Sequence, residues 1–157
     1  MGTEIERKFL LLNDTWRGQV SRSADMTQGY LSRDGNASVR VRLEGNRANL
    51  NVKSKTLGIE RMEFEYAIPL EEAREMIKSL CGTTVIEKVR HYVELDRHTW
   101  EIDEFGGANA GLVVAEIELG AADEDFERPS WLGMEVSSDP RYYNVNLIDH
   151  PYRNWSD

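Results

Sequence analysis

The first strand-like segment of the chain places three charged side chains on one face. Glu4, Glu6 and Lys8 occupy alternate positions, and a β-strand sends alternate side chains to the same side of its sheet. Ile5 and Arg7 then point to the opposite face. Two carboxylates and an ammonium group crowded together are an unusual way to form a solvated edge. They are a suitable way to hold a divalent cation beside a phosphate.

The alternation of polar and apolar residues returns in seven further segments, which are separated by turn signals. Asp34-Gly35-Asn36 and Gly45-Asn46 are typical of hairpins. The pattern predicts eight antiparallel strands, at residues 3–11, 25–32, 37–44, 47–55, 59–68, 84–95, 98–105 and 112–120. Eight strands with short connections can close into a barrel and so lose their edges. We therefore expect a mainly antiparallel α+β fold, an eight-stranded closed β-barrel, in one domain over residues 1–157.

Two segments carry helical signals instead. Residues 69–80 repeat apolar side chains at helical spacing, with Pro69 at the start and Gly82 after the end. A second short helix is predicted over residues 140–149. The four prolines of the sequence lie outside the predicted strands, as expected for strands that are paired on both sides.

Charges on the polar strand faces are grouped by sign rather than mixed. Like-charged neighbours recur at Glu4/Glu6, Arg40/Arg42, Lys53/Lys55, Glu63/Glu65, Lys88/Arg90 and Glu116/Glu118. A sheet with one solvated face explains any single strand, but a surface made only for solubility mixes its signs. If the barrel closes, a charged interior must be hydrated or hold a ligand that pairs its charges. A polyanion pairs with the cations, and divalent metal ions pair with the carboxylates.

Composition and charge exclude several functional classes. The chain has 157 residues and a net charge of −9, which argues against nucleic acid as a partner because duplex binding needs a basic surface. We expect no membrane partner, because no apolar run approaches the length of a span. The single cysteine, Cys81, suits a cytoplasmic location. The three histidines lack metal-ligand spacing, so oxygen ligands for a hard cation are the available metal chemistry.

Several motifs follow one another in order along nearly the whole chain. They are Glu4-Ile5-Glu6-Arg7-Lys8, Gln28-Gly29-Tyr30-Leu31, Val39-Arg40-Val41-Arg42, Val52-Lys53-Ser54, Glu63-Phe64-Glu65, Glu87-Lys88-Val89-Arg90 and Glu116-Ile117-Glu118. In this order they resemble the CYTH superfamily, the triphosphate tunnel metalloenzymes, whose hallmark is Glu-x-Glu-x-Lys on the first strand. The resemblance implies a barrel whose polar interior is a tunnel for triphosphate.

The resemblance also implies roles for individual residues. The implied phosphate-binding residues are Lys8, Arg40, Arg42, Lys53, Lys88 and Arg90. The implied ligands of a catalytic Mg²⁺ or Mn²⁺ ion are Glu4, Glu6 and Glu118, with Asp103 and Glu116 near a second ion and Glu63 and Glu65 as supporting acids. Lys8 is implied to pair with Tyr30, as the catalytic residues. The final helix is implied to plug one tunnel end, around residues 141–144.

The implied reaction is hydrolysis of a terminal phosphoryl group by water, for which the protein supplies position and charge. Lys8 has two alternative roles, as a general base whose pKa is lowered by neighbouring cations or as a cation that only neutralises phosphate. The short bacterial members that this chain resembles are inorganic triphosphatases. We therefore expect hydrolysis of inorganic triphosphate to diphosphate and phosphate.

Other functions stay open at this point. Hydrolysis of thiamine triphosphate or of nucleoside triphosphates and adenylate cyclase action are alternatives within the family. They need an organic pocket at a tunnel mouth, where Trp16, Trp131 and Trp155 are the candidate aromatic residues. A non-catalytic polyphosphate-binding module is another alternative, although a pure binder gains nothing from glutamates placed against a polyanion. The oligomeric state is open between a monomer and a homodimer.

Overall fold

A computed structural model describes residues 2–55 and 58–156, which form one nine-stranded antiparallel sheet. The strands are β1 (Gly2–Leu11), β2 (Arg22–Ser32), β3 (Ala37–Glu44), β4 (Arg47–Ser54), β5 (Glu60–Ala67), β6 (Val85–Leu95), β7 (His98–Phe105), β8 (Val113–Leu119) and β9 (Leu132–Glu135). Their order is β5-β4-β3-β2-β6-β7-β8-β1-β9, and β5 also pairs with β1. This last pairing closes eight strands into a barrel, which confirms the predicted architecture, and leaves β9 outside it.

Strand β1 closes the barrel because it is long enough to pair with three neighbours. One edge pairs with β8, where Glu6 lies opposite Glu118 and Lys8 opposite Glu116. The other edge pairs first with β5, where Glu4 lies opposite Arg61, and then with the short β9. The charged face of β1 is thereby fixed toward the barrel interior.

The outside of the barrel carries much of the apolar core. Beside β1, β7 and β8, the rings of Phe9, Trp100 and Trp131 pack with Ile117. The opposite side of the barrel is covered by helix α1 (Leu70–Met76), whose Ala73 is fully buried. Apolar side chains outside the wall leave the interior faces of the strands free to be polar.

The first predicted helix forms but changes its winding. Helix α1 (Leu70–Met76) continues into a single π-helical turn at Ile77–Cys81. Gly82 ends it with a φ of 57°, a left-handed conformation that glycine adopts without steric cost. No helix in residues 2–55 and 58–156 is both long enough and apolar enough to cross a bilayer.

The continuous helix predicted over residues 140–149 is wrong. The segment contains a 3₁₀ turn at Pro140–Tyr142 and a short helix α2 (Asn144–Leu147), separated by the extended Tyr143. The Tyr143 hydroxyl donates a hydrogen bond to the Ser137 carbonyl oxygen and accepts one from the Gly58 N–H. These tertiary contacts hold Tyr143 out of helical geometry.

Four further elements were not predicted from the sequence, and strand β2 begins earlier than predicted, at Arg22. They are β9 and the 3₁₀ turns at Thr15–Gln19 and Tyr152–Asn154, with another short 3₁₀ turn at Gly107–Asn109. Strand β9 has only four residues, too few to show a clear alternation. It forms because β1 offers it an edge beyond the end of β5.

Candidate active site

The polar strand faces enclose a cavity of about 360 Å³ inside the barrel. Its cationic lining consists of Lys8, Arg40, Arg42, Lys53, Arg61 and Arg90. Its acidic lining consists of Glu4, Glu6, Glu44, Glu63, Glu65, Glu101, Glu116 and Glu118. Because carboxylates outnumber cations here, a polyanion is repelled unless positive ions enter with it. The cavity is suited to a polyanion that is accompanied by metal ions.

One end of the cavity is closed by an apolar floor. The floor consists of Leu10, Tyr30, Ile86, Phe105, Val114, Tyr142 and Leu147. Several of these lie two residues from a charged lining residue, as Leu10 does from Lys8 and Val114 from Glu116, so the same strand face changes from charged to apolar. The segment at residues 140–147 fills this end, and Tyr143 and Asn144 complete the cavity wall.

Most of the predicted site residues meet in this cavity. The predicted residues that line it are Lys8, Tyr30, Arg40, Arg42, Lys53, Arg90, Glu4, Glu6, Glu63, Glu65, Glu116 and Glu118. Lys88 and Asp103 are not among its lining residues. Their side chains are 0% exposed and their charged atoms lie 2.6 Å apart. Burial lowers the pKa of Lys88 to about 8, despite the opposing effect of the Asp103 charge.

Arg40 has no acidic partner in the part of the chain that the structure describes. The residue is 6% exposed, and its buried Nε donor has no hydrogen-bond acceptor. The Nε of Arg42 is likewise buried without an acceptor, and burial together with the charges of Arg40 and Arg90 lowers the pKa of Arg42. Buried guanidinium groups need an anionic partner. Glu65 approaches Arg42 at 3.4 Å, whereas the described part of the chain supplies no such partner to Arg40.

Other cations are held by the acids of the cavity. Lys53 Nζ lies 3.2 Å from Glu4 Oε1 and 3.3 Å from Glu63 Oε2. Arg61 Nε approaches the same Glu4 oxygen at 3.7 Å. These pairs place predicted phosphate-binding and metal-binding groups side by side.

Lys8 lies between the C-terminal segment and the acids of β8. Its Nζ donates a 3.0 Å hydrogen bond to the Tyr142 carbonyl oxygen and lies 3.7 Å from Glu116 Oε2. The ring of Tyr143 lies 5.9 Å from the same ammonium group. No hydrogen bond joins Lys8 to Tyr30 in residues 2–55 and 58–156, so the pairing of these two residues stays a prediction.

Glu6 and Glu116 are neighbouring carboxyl groups whose charges influence each other. Burial and the charge of Glu116 raise the pKa of Glu6 well above its ordinary value. Burial acts in the same direction on Glu116, but the charges of Lys8, Arg90 and Lys88 help to outweigh it and hold the pKa of Glu116 well below its ordinary value. Burial and the charge of Glu4 also raise the pKa of Glu118.

The donor chemistry of the cavity fits a hard divalent cation. Glu4, Glu6, Glu116 and Glu118 offer only carboxylate oxygens, the ligands that such ions prefer. Within the described residues, no three acidic, histidine or cysteine side chains are already arranged around an ion. The crowding of carboxyl groups that helps to raise the pKa of Glu6 and Glu118 is relieved by a nearby cation. Their mutual repulsion is the cost that a bound cation removes.

The fold and the charges of this cavity agree with a known family. The family model described as "CYTH domain" matches residues 2–152 of the chain. The chain belongs to the CYTH family. This establishes the resemblance inferred from the ordered motifs, and metal dependence is general among the triphosphate tunnel enzymes of the CYTH family.

Individual relatives of this CYTH chain are similar along their whole length. An inorganic triphosphatase from Acetivibrio thermocellus is 45% identical over 157 residues, which cover 100% of both chains. An inorganic triphosphatase from Nitrosomonas europaea is 33% identical over 149 residues, covering 92% of this chain and 96% of the relative. A solved structure of an inorganic triphosphatase superposes with a TM-score of 0.67 and 30% identity, covering 94% of this chain and 95% of that one.

Sequence reasoning missed some residues of the CYTH cavity. Arg61 shares a strand face with Glu63, and Glu44 follows Arg42 on the same face, so alternation carried the signal for both. Strand alternation gave no signal for Tyr143, which only the implied plug around residues 141–144 included, and it reaches the cavity through a break in the expected helix.

Proposed function

We propose that the protein hydrolyses inorganic triphosphate to diphosphate and phosphate in its barrel cavity, with the help of a divalent metal ion. The observation that carries the proposal is Arg40, a buried guanidinium group without an acidic partner among the described residues. It lies in a cavity whose carboxylates outnumber its cations. The two inorganic triphosphatases at 45% and 33% identity support the same reaction.

The proposed phosphate-binding residues surround the cavity from several strands. They are Lys8, Arg40, Arg42, Lys53 and Arg90, to which we add Arg61. Lys88, also implied as a phosphate-binding residue, does not line the cavity and is paired with Asp103, so its contact with phosphate stays a prediction. Arginine offers paired donors that match phosphate oxygens, and these donors are held in place before the substrate arrives. The chain therefore contributes mainly fixed positive charge and orientation to phosphoryl transfer.

The proposed metal ligands are Glu4, Glu6, Glu116 and Glu118, and the proposed ion is Mg²⁺ or Mn²⁺. Oxygen donors and retained water ligands suit both ions. A bound ion supplies positive charge against the phosphoryl oxygens and acidity to coordinated water. Glu63 and Glu65 support the site by holding Lys53 and Arg42 at 3.3 and 3.4 Å.

Lys8 keeps two candidate roles in this proposal. Its position beside Glu116 and the wall residue Tyr143 suits a cation that holds a phosphate oxygen. The alternative is a general base acting with Tyr30, which lines the same cavity. The two roles differ in the pH dependence of a Lys8→Arg variant, which keeps the charge but not the ability to lose a proton.

Organic triphosphates are the second class to consider. Two of the candidate aromatic residues for an organic pocket, Trp16 and Trp131, are 0% exposed within the apolar core. Trp155 packs its ring against Tyr142 and Tyr152. These positions favour the inorganic substrate over a nucleotide or thiamine triphosphate.

The test is phosphate release from inorganic triphosphate, ATP and thiamine triphosphate, each with Mg²⁺, Mn²⁺ or a chelator. We expect inorganic triphosphate to be the best substrate and the chelator to stop turnover. Arg40→Ala should lower kcat/KM by about 100-fold or more, whereas exposed Arg97→Ala should stay within about twofold. Turnover that survives the chelator, or cyclic AMP as the product from ATP, would contradict the proposal.

Location and assembly complete the proposal. The single cysteine of the chain suits the reducing cytoplasm. The net charge of −9 does not favour nucleic acid as a partner. A homodimer is the assembly to test, by light scattering over a range of protein concentrations.

A further inference from the structure

Asp103 is enclosed by the cations of strand β6. Its side chain is 0% exposed. Oδ1 accepts a 2.7 Å hydrogen bond from Arg90 Nε. Oδ2 accepts hydrogen bonds of 2.8 Å from Arg90 Nη2 and 2.6 Å from Lys88 Nζ. Both carboxylate oxygens are therefore occupied by charged donors of the chain itself.

These contacts leave Asp103 poorly placed to hold a metal ion. A carboxylate offers about four lone-pair directions, and three N–H groups already point at this one. Asp103 does not line the cavity, whereas its partner Arg90 does. A metal ion that reached Asp103 would have to displace two buried cations, at a large cost in uncompensated charge.

Arg90 is oriented through the same contacts. Nε and Nη2 form a side-on pair with Asp103, while Nη1 lies 3.2 Å from Glu101 and Nη2 lies 3.2 Å from Glu116. Burial by itself lowers the pKa of Arg90, but the charge and hydrogen bonds of Asp103 outweigh it and raise that pKa well above its ordinary value. Because Asp103 holds the Nε and Nη2 side of the Arg90 guanidinium group, Arg90 loses little conformational entropy when a phosphate binds.

We propose that Asp103 is a positioning residue that aims Arg90 at the substrate phosphates, and that it is not a metal ligand. The proposal rests on the proposed function, because it assumes a phosphate substrate in the cavity. It predicts that removal of the Asp103 charge weakens phosphate binding through Arg90 and leaves metal binding to the glutamates unaffected. If Asp103 were a metal ligand, the same change would weaken metal binding.

The test compares Asp103→Asn, Arg90→Ala, the double variant and Glu118→Gln. Mn²⁺ binding to the substrate-free protein is measured by electron paramagnetic resonance, and binding of a non-hydrolysable triphosphate, imidotriphosphate, is measured by calorimetry with saturating Mg²⁺. We expect Asp103→Asn to keep Mn²⁺ affinity within about twofold of the wild type and Glu118→Gln to lose about tenfold or more. We expect Asp103→Asn to weaken triphosphate binding by about tenfold, with less than about twofold further loss when it is added to Arg90→Ala.

Two results would overturn the proposal. One is a loss of Mn²⁺ affinity in Asp103→Asn as large as that in Glu118→Gln. The other is a loss of triphosphate affinity in the double variant that equals the product of the losses in Asp103→Asn and Arg90→Ala. Such a product would show that the two residues act independently, because independent effects add as free energies. Neither binding measurement needs turnover. If the wild-type protein does not hydrolyse triphosphate, the proposed function is wrong, but the variants can still be compared for metal binding and triphosphate binding.

Asp103→Glu keeps the test decisive if Asp103→Asn does not fold. The longer side chain preserves the buried negative charge but displaces the Arg90 guanidinium. We expect it to retain the wild-type circular dichroism spectrum and Mn²⁺ affinity and to raise KM for triphosphate by about tenfold, with a smaller change in kcat. A wild-type KM with weakened Mn²⁺ binding would assign Asp103 to the metal.

Discussion

Lys8 and Glu116 lie directly opposite each other on β1 and β8, with Lys8 Nζ 3.7 Å from Glu116 Oε2. This register places a proposed phosphate-binding cation beside a proposed metal ligand without any intervening loop. Cross-strand positions in a closed barrel are fixed by the backbone hydrogen bonds on both sides. The relative position of the two charges is therefore set by the fold itself.

The role of Lys8 can be read from a pH–rate profile. If Lys8 only holds phosphate charge, Lys8→Arg keeps that charge, and we expect the profile to keep its shape at a lower maximum. A base must lose its proton, which arginine does not do at ordinary pH. In a plot of kcat against pH, one limb reports deprotonation of the essential base. Loss of that limb in Lys8→Arg but not in Lys53→Arg would assign proton transfer to Lys8.

Glu6→Gln should stabilise the metal-free protein while abolishing activity. The raised pKa of Glu6 means that the folded chain binds its proton more tightly than the unfolded chain, so stability falls as pH rises from the ordinary glutamate value through the raised pKa. Glutamine removes this penalty. We expect a melting temperature about 2–6 °C higher at neutral pH, with the gain disappearing below about pH 4.5.

Differential scanning fluorimetry in chelator over a pH series measures this effect. Glu60→Gln, on the exposed start of β5, is the matched control and should leave the curve unchanged. A lower melting temperature for Glu6→Gln across the whole series would show that Glu6 is a stabilising carboxylate even without metal.

Tyr143 lies between the barrel cavity and a second cavity, which also share Ser38, Arg61 and Val145 in their linings. It lines both cavities, and its ring lies 5.8 Å from the Arg61 guanidinium. Tyr143→Ala removes the wall, and we expect KM for triphosphate to rise about tenfold. Tyr143→Phe keeps the wall but loses the hydroxyl contacts to Ser137 and Gly58. It should keep KM within about threefold and lose about 1 kcal/mol of stability.

Steady-state kinetics and chemical denaturation separate the two effects. Equal KM values for Tyr143→Ala and Tyr143→Phe would show that the ring of Tyr143 does not contribute to triphosphate binding.

Gly29 is required by close packing of β2 against the π-helical turn. A Cβ atom at this position would lie 2.6 Å from Cys81 Sγ and 3.1 Å from Ile77 Cγ1. We expect Gly29→Ala to destabilise the fold by about 1–3 kcal/mol. Gly18→Ala meets no atom within 4 Å and is the matched control.

Urea denaturation measures both variants. Adding Cys81→Ala to Gly29→Ala should recover part of the loss, since it removes the nearest atom. A Gly29→Ala protein as stable as Gly18→Ala would show that the turn shifts freely away from the strand.

The alternation of polar and apolar residues predicted those site residues whose direction is set by the strand backbone alone. It placed Glu101 and Asp103 on one face of β7, yet only Glu101 reaches the cavity, because the cations of β6 enclose Asp103. Sequence does not reveal which of two like residues its neighbours will enclose. The break at Tyr143 escaped prediction for a related reason, since it depends on hydrogen bonds to Ser137 and Gly58 from distant parts of the chain.

The pairing of β1 with three neighbouring strands restricts how its sequence can vary over evolution. A single inserted or deleted residue would exchange the inward and outward faces beyond that point and send the charged side chains into the apolar core. Each of its neighbours β5, β8 and β9 would have to shift register at the same time. Descendants of this chain can exchange residues within β1 one by one, but gaps between Gly2 and Leu11 should be absent from those that keep the fold.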